Sequence, residues 1–174
     1  MNAAGRKLGL GGLMGILVSL ITLSGCALSP NADLSKPEAV TAATKLLVDS
    51  YSGDRILVGP TVDRAHHNRA LYLLASSKKF DTIYLEYYTP ERGSLESAAD
   101  MDGRELDMSG GYYITIDPPE TAEVAFLILP KGYLQEHSGR GIHLRAYGER
   151  GGIDLSVSPS YIRGYLKKKE QSNL

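Results

Sequence analysis

The chain has 174 residues, 43% of them hydrophobic and 22% charged, the proportions of one ordinary globular domain rather than a disordered or fibrous chain. A single cysteine, Cys26, excludes an internal disulfide, so the fold must hold by packing and hydrogen bonds. A net charge of -1 gives no electrostatic basis for binding nucleic acid, whose partners neutralise phosphates.

Arg6 and Lys7 precede Leu8–Leu23, LGLGGLMGILVSLITL, which carries no charge. As a helix this stretch would run roughly 24 Å, short of a hydrocarbon core of about 30 Å. Gly9, Gly11, Gly12, Gly15 and Ser19 weaken it further as a permanent span. It reads as the apolar core of an export signal covering residues 1–25. Leu23-Ser24-Gly25-Cys26 follows: an apolar residue, two small ones, then cysteine. This segment resembles the lipobox of bacterial lipoproteins. The resemblance implies that the Cys26 thiol forms a thioether to diacylglycerol, that cleavage frees the Cys26 amine, and that this amine is a further acylation site. Two or three acyl chains anchor a protein stably in a membrane. Ala27 rather than Asp follows the cysteine, which by analogy with enterobacterial lipoproteins points to the outer membrane, with the domain in the periplasm or at the cell surface. Loss of residues 1–25 takes away Arg6 and Lys7 and no acid, leaving 17 bases against 20 acids, a net charge of -3.

Residues 26–37 then form the lipidated cysteine and a polar, proline-containing tether, and residues 38–174 a single β-rich domain. From Glu38 a short helix gives way to a strand near Lys45, which turns at Ser52-Gly53-Asp54 into Arg55–Val58. Ala70–Ser76 is a short apolar run of strand length. Phe80–Thr89 alternates, with Ile83, Leu85 and Tyr87 on one face and Thr82, Tyr84, Glu86 and Tyr88 on the other, the pattern of a strand with one buried face. Pro90 ends it, Glu91-Arg92-Gly93 turns, and Ser94–Ala99 returns. Asp102-Gly103 predicts a hairpin and Gly110-Gly111 a break. Tyr112–Ile116 and Ala122–Leu129 are further strands, the second apolar enough to be central in a sheet.

The last third carries a weak echo of strand, proline and short helix, once through Pro130 and Tyr133-Leu134 and again through Pro159, Tyr161-Ile162 and Tyr165-Leu166. Between them Ile142–Tyr147 and Ile153–Val157 read as a hairpin. Ser158 can cap the final helix and Pro159 start it. Eight or nine strands with two or three short peripheral helices fit a mainly β (α+β) fold, an antiparallel β-sandwich or partly open barrel.

No GxSxG, SxxK, P-loop, GxGxxG or HExxH pattern is present in the sequence, and its one cysteine is taken by the lipid. The expectation is a non-enzymatic chain without cofactor or metal. His66-His67, preceded by Asp63, is the most metal-like cluster, but adjacent side chains diverge in an extended chain and His137 and His143 lie far along it, so these read as loop histidines. Asp100, Asp102, Glu105 and Asp107 around Gly103 miss the glycine and glutamate positions of a calcium loop and read as a solvated hairpin turn. Lys167-Lys168-Lys169 reads as a solvated helix end. Tyr84, Tyr87, Tyr88, Tyr112 and Tyr113 fall in two strands, and as alternating stripes they are the candidate binding surface.

These features predict a lipid-anchored interaction or assembly module. It would be tethered to the membrane through Cys26 and engage an envelope protein, with no nucleic-acid partner. Two alternatives are a small-ligand carrier with an apolar cavity and an envelope hydrolase with convergent carboxylates.

Overall fold

The computed structural model describes residues 32–48, 53–64, 70–89, 95–117, 120–149 and 151–174. The expected export signal, Cys26, most of the expected tether, His66-His67 and the turn expected after Pro90 lie outside the described residues. Ten antiparallel strands are described: β1 (Lys45–Val48), β2 (Arg55–Val58), β3 (Val62–Arg64), β4 (Ala70–Ser76), β5 (Asp81–Thr89), β6 (Leu95–Asp100), β7 (Glu105–Asp117), β8 (Glu120–Leu129), β9 (Ile142–Gly148) and β10 (Gly151–Val157). Three helices accompany them: α1 (Pro37–Ala43), α2 (Tyr133–Glu136) and α3 (Pro159–Gln171). The fold is mainly β, as the alternation predicts, and the sheet does not close into a barrel.

The strands run in the order β1-β2-β4-β5-β8-β7-β6-β9-β10, with β3 paired to β4. β2 and β3 both lie along β4, Leu57 opposite Ser76 and Val62 opposite Tyr72. Gly59 and Pro60 interrupt what would otherwise be one strand. β8, the most apolar, sits between β5 and β7. β7 is the fold line: Glu105 and Leu106 pair with β6, while Asp107 to Asp117 pair with β8. The predicted break at Gly110-Gly111 is instead a bulge within this strand. Gly110 and Gly111 have φ of 137° and 90°, and the register with β8 shifts between Gly110 and Tyr112. Positive φ lets glycine bend a strand without ending its pairing.

Across this fold line the two halves face each other. Leu74, Ile83, Leu85 and Leu127 of the larger half share one buried cluster with Ala98, Leu144, Ala146 and Leu155 of the smaller half. The Tyr72 hydroxyl on β4 donates to the Ser156 carbonyl on β10 (2.6 Å) and accepts from its N–H (3.3 Å), which ties the halves together. α3 starts where Ser158 and Pro159 predict, the Ser158 hydroxyl accepting from Tyr161 N–H. Its Tyr161, Ile162 and Tyr165 enter the same cluster. α1 crosses α3 at Gly164, where a Cβ would lie 2.3 Å from the Pro37 carbonyl oxygen.

Candidate functional site

The β6–β7 hairpin turn and the segment around α2 meet at one end of the smaller half-sheet. Asp100 closes β6 and is buried, contrary to the solvated turn expected of this acidic group. One of its oxygens, Oδ1, accepts from the N–H groups of Asp102 (3.0 Å) and Arg104 (2.9 Å), and Oδ2 accepts from the Tyr133 hydroxyl (2.9 Å). Burial pushes its pKa up. The bonds from Arg104 N–H, the Tyr133 hydroxyl and Asp102 N–H outweigh that and hold the carboxyl below its ordinary range. Burial, and after it the bond to this same carboxylate, drives the Tyr133 hydroxyl pKa upward. Glu105 and Asp107 are not in the turn: they begin β7.

His137, expected in a loop, is buried at the C-terminal end of α2 and stacks on Tyr133 with ring centroids 4.0 Å apart. Its Nδ1 lies 2.8 Å from the Tyr133 carbonyl. A carbonyl only accepts, so Nδ1 carries the proton and Nε2 presents a lone pair. Arg140 donates to that Nε2 (3.0 Å) and to Asp102 Oδ2 (2.5 Å). Asp100, Asp102 and His137 each bring a metal-ligating atom within 4.8 Å of the others. The arrangement fits the Arg140 guanidinium rather than a cation, because Arg140 already bonds two of the three groups, and both Asp100 oxygens have N–H or O–H donors. The cluster staples the hairpin turn to α2, aided by Arg104, which pairs with Glu136 (3.2 Å) and lies over the Tyr133 ring.

Beside this staple the outer face of β6, β9 and β10 is concave, with a volume of about 650 Å3. Register explains its lining. Ala99, Arg145 and Asp154 form one cross-strand row, and His143 and Ser156 the next. Met101 and Tyr147 stand at its ends, 80% and 46% exposed. Arg145 lies over the Tyr147 ring, 5.7 Å from its centroid, and pairs with Asp154 at 3.5 Å. The signal for this face was present in the alternation of Ile142–Tyr147, which puts His143, Arg145 and Tyr147 on one side.

The five candidate tyrosines lie elsewhere and divide between the two faces of the larger half-sheet. Tyr87 and Tyr113 flank Glu123 in one cross-strand row facing the inner cluster. Tyr84 and Tyr88 are on the opposite face, both donating to the Glu86 carboxylate (2.5 and 3.0 Å). Tyr84 is buried there against Phe126, and burial with the Glu86 contact pushes its hydroxyl pKa up. Tyr112 shares the row of Glu86 and Val124, and its side chain is outside the description. Glu123 is itself notable: it is fully buried, its Oε1 accepts from Leu95 N–H (2.8 Å), and its Oε2 has no partner among the described residues. No protein-family model, no curated protein and no solved structure matches the chain.

Proposed function

We propose that this is a lipid-anchored protein of the bacterial envelope, tethered through Cys26, whose folded domain is a non-catalytic interaction or assembly module. We assign the contact surface to the concave outer face of β6, β9 and β10. The observation that carries this reading is the exposure of Met101 and Tyr147 on either side of the Arg145–Asp154 pair. Methionine, aromatic and arginine side chains are enriched where proteins bind one another, and a large apolar side chain left exposed at a concavity is unused binding area. The anchor itself rests on Leu8–Leu23 and the Leu23–Cys26 segment.

The test is a pair of variants, Met101→Asp and Tyr147→Ala, in the full chain purified from membranes after crosslinking. Both side chains are exposed, so thermal stability should stay within about 0.5 kcal/mol of the parent. Recovery of an envelope partner should fall about tenfold or more in the variants, the size of one hot-spot loss. Unchanged recovery of the same partner would remove this face from the account. A second reading, a small-ligand carrier, is favoured by the volume of the concavity, which lies in the range of ligand pockets. Its lining mixes His143, Arg145 and Asp154 with Tyr72, Leu144 and Leu155, which suits a ligand with both charged and apolar parts rather than the purely apolar one expected of such a carrier.

A further inference from the structure

α3 ends beside the turn that joins β4 to β5. Lys169 donates to the Asp81 carboxylate at the start of β5, and both side chains are largely buried, so this lysine is not part of a solvated helix end. Arg55, which opens β2, donates to the Ser172 carbonyl at the C-terminal end of α3 (2.9 Å). In the β4–β5 turn, Ser77 N–H donates to the Phe80 carbonyl (3.0 Å) and Lys79 N–H to the Ser77 hydroxyl (3.2 Å). These bonds hold Lys78 and Lys79 at the tip, both exposed. A notch of about 140 Å3 lies between this tip and Gly53-Asp54-Arg55.

One corner of the molecule thus gathers cations from three parts of the chain. It carries six basic side chains, Arg55, Lys78, Lys79 and Lys167 to Lys169, against four acidic ones, Asp54, Asp81, Glu170 and, from the β1–β2 connection, Asp49. The rest of residues 26–174 carries eleven bases against sixteen acids. Lys78, Lys79 and Lys168 have no acidic partner among the described residues. A helix C-terminus favours lysines by itself, which accounts for Lys168. It does not account for Lys78 and Lys79, which belong to a turn between strands. A positive corner on an acidic chain complements a negative surface. Lys78 and Lys79 stand exposed rather than closed round the notch, the arrangement of a surface contact and not of a pocket for one phosphate.

We infer that this corner docks on an anionic phospholipid surface, so that the domain meets the membrane at a second point besides the lipid on Cys26. The anchor rests on the lipoprotein reading; the docking surface does not. Chain length permits both at once. The Pro37 carbonyl lies against α3 at Gly164, and from there to Ser172 the helix runs roughly 12 Å. Residues 26–37 reach at most roughly 37 Å when extended. A domain held at two points keeps one orientation, which sets how its concave face is presented.

The test uses the full chain purified from membranes and mixed with vesicles of phosphatidylcholine, alone or with about one third phosphatidylglycerol. Lysine acetylation by acetic anhydride is followed residue by residue in the mass spectrometer. Lys78, Lys79 and Lys168 should react about fivefold more slowly with phosphatidylglycerol present, the effect of roughly one basic contact. Lys36, exposed near the tether, should keep its rate within about twofold, and salt near 1 M should abolish the difference. Lys78→Glu with Lys79→Glu should return Lys168 to its phosphatidylcholine rate while circular dichroism shows an unchanged fold. Equal rates in the two vesicles overturn the inference. So does protection that inorganic phosphate removes and chloride of the same ionic strength does not, which marks a site for free phosphate. The N-terminal mass of the same preparation reads the anchor separately. Slowing in a chain without lipid keeps the docking surface and rejects the lipoprotein reading; a lipidated chain without slowing does the reverse.

Discussion

Glu123 carries the most informative chemistry at the scale of one side chain. A carboxylate with one oxygen bonded and the other buried without a donor among the described residues is a cost to the fold, and burial raises its pKa despite the bond from Leu95 N–H. A raised pKa means the folded chain holds this proton more tightly than the unfolded chain. The resulting stability is present below the ordinary carboxylate range and is lost as pH rises through the raised value. Glu123→Gln keeps an oxygen for Leu95 and removes the titration. In thermal unfolding followed by circular dichroism, the variant should match the parent near pH 4 and exceed it near pH 8, roughly half a unit below and well above the ordinary glutamate value. A variant that is less stable near pH 8 would show that the charge is stabilised by groups beyond those described. Asp100 has the opposite sign, since its bonds hold the carboxyl below its ordinary range. Neither role was legible beforehand: Tyr133 and Asp100 are 33 residues apart, and only the fold brings them together.

At the scale of elements, much was legible because burial on one side imprints a period. The alternation of Phe80–Thr89 predicts a strand with Ile83 and Leu85 inward, and both lie in the inner cluster. The apolar run of β8 predicts a central strand, and Ser158-Pro159 predicts the start of α3. β3 left no such mark, because three residues after Gly59-Pro60 are too few to show a period. The Gly110-Gly111 pair misled because positive φ serves a bulge as well as a turn. Helix packing supplies a direct check. A methyl group at Gly164 would meet the Pro37 carbonyl at 2.3 Å and the Val40 Cβ at 2.7 Å, both in α1. Gly164→Ala gains helix propensity of about 1 kcal/mol. Overpacking against backbone costs about 1–3 kcal/mol, and with no flexible side chain to yield at the Pro37 carbonyl the loss should win. The expected outcome is a lower unfolding midpoint in urea at unchanged slope; an increase would mean that α1 moves off α3 freely.

For the whole molecule, the two sheet faces divide the labour. The inner one joins the half-sheets and holds α1 and α3. Of the two outward ones, that of β6, β9 and β10 is polar and concave, and that of the larger half is apolar. The candidate tyrosines fall on both faces of the larger half, as the alternation of a strand dictates. The Leu8–Cys26 segment carries the expectation about location, while the concave face of β6, β9 and β10 depends on cross-strand rows that pattern alone does not assemble. The account stands or falls on the state of the N-terminus, and mass spectrometry of the N-terminal peptide from the membrane fraction reads it directly. For the wild type it predicts a peptide that begins at Cys26 with added diacylglyceryl and acyl mass, and for Cys26→Ala a chain that retains residues 1–25. A wild-type peptide that begins elsewhere, or carries no lipid, would contradict the anchored module.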